Sequence, residues 1–134
     1  MLARILVGLV VVSAAAPASA LEACFADSIG PWRGPVWNGT GIQSMDTLFE
    51  IGTDGAMVGR YHIEDAQPFD GTLTGFRPTG DCEADFTWID RDGTGTVHIH
   101  FDPDRGEFQG RWGRSQPLPS LLFDGYRLGP PRTS

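Results

Sequence analysis

The chain of 134 residues is 40% hydrophobic and carries 18 glycines and 10 prolines, too apolar for a disordered chain and too interrupted for a helical bundle. The length suits one domain with one core. Seventeen acids stand against ten bases, for a net charge of -7, and every base is an arginine; such a chain repels phosphate backbones and anionic lipid, and offers no lysine for Schiff-base, pyridoxal-phosphate or P-loop chemistry.

Residues 1–20 read as a signal peptide. Arg4 gives a positive start, residues 5–12 are apolar, Pro17 breaks the stretch, and Ala18-Ser19-Ala20 is an A-x-A cleavage site. The apolar run is too short for a membrane span, so the mature chain is expected to carry no transmembrane segment and to be periplasmic or secreted. Cys24 then admits two readings. Leu21-Glu22-Ala23-Cys24 partly resembles a lipoprotein box, although Glu22 fits it poorly and the box lies well beyond the apolar run. A disulfide between Cys24 and Cys82 in an oxidising compartment uses both thiols and is the favoured reading. Two cysteines so far apart exclude a CxxC redox or zinc motif.

Beyond the leader, no stretch keeps a helical period. Residues 27–45, with Pro31, Pro35, Trp32 and Trp37, read as irregular, with a less regular strand near 32–40. Strands are predicted over 47–51, 56–64, 69–76, 84–90, 95–101, 107–114 and 120–128. Turn residues separate them: Thr53-Asp54-Gly55, Asp65-Ala66-Gln67-Pro68, Arg77-Pro78-Thr79-Gly80, Arg91-Asp92-Gly93, Asp102-Pro103-Asp104-Arg105-Gly106, and the stretch 115–119. The Asp-Gly pairs are the strongest hairpin signals. Seven or eight sequential strands on short turns predict an all-β, antiparallel up-and-down meander closing into a small barrel, with a β-sandwich as the alternative. One domain over 21–128 and a disordered tail over 129–134 complete the expected layout.

Alternation assigns one face of these strands to the interior. Met57, Gly59, Tyr61 and Ile63 share a side, as do Phe69, Gly71, Leu73 and Gly75, then Phe86 and Trp88, then Val97, Ile99 and Phe101, then Phe108, Gly110 and Trp112. In the last strand Phe123 and Gly125 compete with Leu122 and Tyr126. Glycine recurs beside an aromatic on the same face, in Gly59-x-Tyr61, Phe69-x-Gly71, Phe108-x-Gly110-x-Trp112 and Phe123-x-Gly125. In small barrels such glycines let the sheet coil while aromatics cover them; the competing reading is a ligand-stacking platform.

Gly30-Pro31-Trp32 near the start and Arg127 after the last aromatic strand make the chain resemble the calycins, the lipocalins and avidins, which begin with Gly-x-Trp and end with an Arg. The rhythm also resembles small secreted bacterial β-barrel proteins of unassigned function. The resemblance implies that Trp32, or failing it Trp37, stacks with Arg127 and closes one end of a barrel, a reasonable cation–π contact. The second lipocalin signature, Thr-Asp-Tyr, is absent, the biotin-holding residues of avidins have no counterpart, and the short chain leaves little room for a large cavity.

His98-Ile99-His100 is the sharpest chemical feature. Two His at i and i+2 share a strand face, as metal ligation needs, and Asp102, His62 or Asp90 are candidate further ligands. The competing reading is an exposed polar face alternating with core Val97, Ile99 and Phe101. A cupin is rejected: position 92 is Asp where the pattern wants Gly, and Glu107 lies too far on. Asp90-Arg91-Asp92-Gly93-Thr94-Gly95 resembles the start of a calcium loop but lacks the downstream Glu and helical flanks, and reads better as a hairpin turn. No Gly-x-Ser-x-Gly occurs, no pair of carboxylates is singled out for glycosidase chemistry, and Asn38-Gly39-Thr40 is a sequon only in a glycosylating host.

The expectation is therefore a non-enzymatic barrel without cofactor. Its partner is a small apolar ligand held by Tyr61, Trp88, Phe101 and Trp112. Alternatively it is an extracytoplasmic protein, with the chain acting as an envelope component or as an inhibitor of an extracellular enzyme through an exposed apolar surface patch near residues 32–37.

Overall fold

In Met57–Glu64 every second residue is buried, and the same period of two runs through the strands that follow. A sheet with one apolar face and short turns must cover that face, and the shortest route is to curl onto itself. The computed structural model describes residues 21–114 and 120–129, with Gly8 alone before them. The predicted signal peptide, the turn 115–119 and all but the first residue of the predicted tail lie outside the described residues.

A short helix, α1 (Ala23–Ala26), precedes the strands β1 (Gly30–Trp37), β2 (Ile42–Ile51), β3 (Met57–Glu64), β4 (Phe69–Gly80), β5 (Glu83–Asp90), β6 (Gly93–Asp102), β7 (Glu107–Gly113), β8 (Leu121–Leu122) and β9 (Gly125–Arg127). From β1 to β7 each strand pairs antiparallel with the next. β8 and β9 both pair with β7, and β9 returns to β1 through Trp32↔Arg127 and Arg33↔Tyr126. Together they make one stave, interrupted at Phe123 and Asp124. The result is a closed antiparallel meander barrel, so the sandwich alternative falls.

Three expectations are corrected. Residues 27–45 are not irregular: β1 pairs with β2 from Gly30↔Phe49 to Trp37↔Ile42. Pro31 and Pro35 are tolerated because they turn their missing N–H toward the short closing stave, where their carbonyls still accept from the N–H groups of Leu128 (3.1 Å) and Asp124 (3.0 Å). Residues 77–80 are not a turn but the end of β4, and the chain reverses after them. Gly75 does not face inward. Between Thr74 and Arg77, β4 carries one residue more than β5, and Gly75 takes a φ of +65° that L side chains rarely adopt. The bulge flips the alternation and turns Phe76 toward Phe25 (5.1 Å between ring centres) and Phe86 (5.5 Å).

The interior is packed with rings. Phe49 meets Phe101 at 5.1 Å, Phe108 at 5.7 Å and Phe86 at 5.8 Å, and Trp32 meets Phe108 at 5.4 Å. In the last stave Phe123 and Gly125 are the buried residues. The glycine–aromatic repeat has its physical cause here. A Cβ on Gly71 would collide with the Tyr61 ring, and one on Gly125 with the Phe108 ring. Each ring lies flat where the neighbouring strand has no side chain.

Candidate functional site

The two ends of the barrel differ. One is closed. α1 lies across it, fastened by the Cys24–Cys82 disulfide to the turn between β4 and β5, and drops Phe25 edge-on against Phe76 and Phe101. On the same end the Arg127 guanidinium lies 4.4 Å over the Trp32 ring. Arg127 also donates to the carbonyls of Asp27 and Ile29, and the Trp32 indole N–H donates to the Ser28 carbonyl at 3.0 Å. The contact that the resemblance implies thus falls on Trp32; Trp37 stands at the opposite end of β1.

Among the described residues that opposite end is open. A cavity of about 70 Å³ lies there, lined by Trp37, Tyr61, Trp88, Trp112, Asp90 and Asp92 among others. The strand ends bring these residues together: β1 ends at Trp37, Tyr61 and Trp88 lie toward the open ends of β3 and β5, and Trp112 lies at the end of β7. Trp88 and Trp112 meet edge to face at 5.3 Å. Their indole N–H groups are spent on backbone, Trp88 on the Gly113 carbonyl and Trp112 on that of Trp37, both at 2.9 Å. The rings are therefore fixed in orientation, and what they offer the cavity is apolar carbon.

Tyr61 is buried, with its ring edge-on to Phe123 at 5.6 Å, and its hydroxyl donates to Asp90 at 2.7 Å. Burial first, then the Asp90 carboxylate, push the phenol pKa far up, so Tyr61 stays a donor and never a base. The other oxygen of Asp90 accepts the Asp92 N–H at 2.7 Å within the hairpin Asp90↔Gly93. This is the hairpin turn read from the sequence. Outside the rings, Asn38 donates to Asp65 at 3.0 Å, and Arg91 stacks 4.0 Å over Phe69 while donating to the Gln67 carbonyl at 2.6 Å. These bonds lock three turns around the opening.

Of the four ligand candidates, Tyr61, Trp88 and Trp112 are brought together at the mouth. Phe101 is not; it lies in the ring-packed interior beneath α1, 1% exposed. The sequence reading did not place Trp37 or Asp90 at the mouth, where both line the cavity. Parity held the signal for Asp90, since it continues the inward face of Phe86 and Trp88.

His98 and His100 stand on the outer face of β6. Asp85 fixes the Nδ1 of His98 at 2.7 Å, and its other oxygen takes Arg77 at 2.7 Å. Burial pulls the Asp85 carboxyl up, but the bonds from His98 and Arg77 outweigh it and hold its pKa below the ordinary value. His62 lies on β3, with two strands between it and β6, and sits between Asp70 (2.7 Å) and Glu64 (3.0 Å). Among the described residues no three His, Cys, Asp or Glu side chains gather to hold a metal ion.

A shallower groove of about 610 Å³ crosses the outer face of β1 to β5, with Pro31, Leu48, Ile89 and Leu128 beside Arg60 and His62. Among the described residues no helix is long and apolar enough to cross a membrane. No protein-family description, curated protein or solved structure matches the chain.

Proposed function

We propose that this chain is a non-enzymatic, calycin-like binding barrel of the periplasm or the extracellular space, and that it takes a small apolar group into its open mouth. The observation that carries the reading is the 70 Å³ cavity walled by Trp37, Tyr61, Trp88 and Trp112. Its size sets the ligand. Drug-sized pockets run to roughly 300–1,000 Å³, and this one is several-fold smaller. The group that enters is a single small branched or cyclic headgroup, and the rest of the ligand stays outside. The Cys24–Cys82 disulfide supports an oxidising compartment, and with it residues 1–20 as the export signal. The Trp32–Arg127 contact supports the likeness to calycins.

Because three of the four tryptophans line the mouth, their fluorescence is the assay. A small branched alcohol, dimethylbutanol, is expected to shift the emission saturably, and Trp112→Ala to abolish the shift. A linear, unsaturable response would refute the reading.

A second reading is an envelope interaction protein or enzyme inhibitor acting through its surface; the patch expected near residues 32–37 is not there, since Trp32 is buried, and the reading rests instead on the outer groove, where Ile89 is 49% and Leu128 38% exposed. Pull-down from envelope extract with wild type and with Ile89→Asp, Leu128→Asp tests it. A partner enriched by wild type and lost in the variant supports it, and no enrichment over control removes it.

A further inference from the structure

We infer that the group bound in the mouth is a methylated ammonium ion, which rests on the reading of the mouth as a binding site and names its ligand. Four observations converge. The first is size: a cavity of about 70 Å³ admits a small compact head and excludes the rest of a larger molecule. The second is the wall. Three indoles and a phenol surround the space, and the negative π-face of an aromatic ring attracts a cation that has lost its water.

The third is the position of charge. The Asp90 carboxylate is half-buried at the foot of the opening, bonded to the buried Tyr61 hydroxyl. Asp92 follows it on the rim. The cationic groups nearby are placed otherwise. Arg91 is engaged by Phe69, the Gln67 carbonyl and Asp65 and lies 3.9 Å from Asp92; Arg114 and Asp92 are both exposed at the rim, where solvent screens each of them. The innermost full charge is therefore negative, and the net charge of -7 draws cations toward the whole surface.

The fourth observation separates a methylated ammonium from a primary one. A primary ammonium brings three N–H donors that each need an acceptor. The wall is mostly indole and phenol carbon, and the acceptors there are few and shared: each Asp90 oxygen already accepts a bond, from the Tyr61 hydroxyl or the Asp92 N–H, and the Asn38 amide oxygen accepts from Thr40 and Gly41. A methylated head needs charge and contact but no directed acceptor.

The test compares three probes that share one shape or one charge, titrated against the disulfide-bonded protein by tryptophan fluorescence and calorimetry. Choline carries charge and methyls, dimethylbutanol is its neutral carbon isostere, and ethanolamine has the charge without the methyls. Choline is expected to bind at least about tenfold more tightly than either. Asp90→Asn keeps the shape and is expected to bring choline down to the affinity of dimethylbutanol. Asp92→Asn, on the exposed rim, serves if that variant does not fold, and is expected to weaken choline about threefold. Equal binding of choline and dimethylbutanol would overturn the cation inference and leave the apolar mouth standing. Equal binding of choline and ethanolamine would overturn the preference for methyls. Binding of none of the three would overturn both the inference and the reading beneath it.

Discussion

The Tyr61 hydroxyl donates to Asp90 at 2.7 Å, tying β3 to β5 across β4, which lies between them in the sheet. The bond runs over the inner face of β4 and fixes the Tyr61 ring over Gly71.

Tyr61→Phe keeps the ring and removes the bond. It is expected to lower unfolding free energy by about 1.5–3 kcal/mol, the range for a bond to a charged partner, measured by urea titration. Gly71→Ala acts on the same contact from the other side. Its methyl has no space under the ring, and a loss of about 1–3 kcal/mol is expected, with a disturbed mouth seen in the tryptophan emission.

Arg127 holds the closed end through the Trp32 face and the carbonyls of Asp27 and Ile29. Arg127→Ala is expected to cost about 2–3 kcal/mol. Arg127→Lys recovers little of it, because an ammonium cannot lie flat on the indole and also reach two carbonyls. A lysine variant with wild-type stability would show that charge alone does the holding.

The Cys24–Cys82 bond closes a separation of 58 residues. In the chain-entropy picture it contributes about 4 kcal/mol. The double alanine variant is expected to lose that much and also to free Phe25 from Phe76 and Phe101. Thermal unfolding with and without reductant measures the first effect. Faster amide exchange in β6 near Phe101 reports the second.

Two groups give the stability a dependence on pH, each with its own sign. The hydrogen bond to Asp70, opposed by partial desolvation and aided by Glu64, raises the His62 pKa above its ordinary 6.5. Its contribution is full below that value and is lost as pH rises through the folded-state value. Asp85, held below 3.8, contributes fully above that value, and its share is lost as pH falls through the folded-state value. Stability from these two groups is therefore greatest between the limits. His62→Gln is expected to flatten the alkaline side of the profile and Asp85→Asn the acid side, read from urea midpoints across pH.

Much of this fold was legible because its strands alternate. The inward faces of β3, β5, β6 and β7 follow from a period of two and need no tertiary information. What escaped the sequence were places where one strand answers to another. Pro31 and Pro35 look like strand breakers until β9 is seen to need so little from them. Gly75 looks inward until the bulge against β5 flips the phase. In the site, aromatic residues declared themselves by parity, and so should Asp90 have done. The separation of Phe101 from the mouth was not legible, because parity says which side of a wall a residue is on but not how far along the barrel it lies.

The pairing of β1 with β9 sets the order of events in making this protein. Trp32 and Arg127 are cross-strand partners, 95 positions apart. A ribosome or an export channel delivers the chain from one end, so β1 is complete long before its second neighbour exists. Until then β1 presents a bare edge to any other chain, and two prolines along it remove donors from that edge. The same residues that let the last stave be short also guard the first one while it waits.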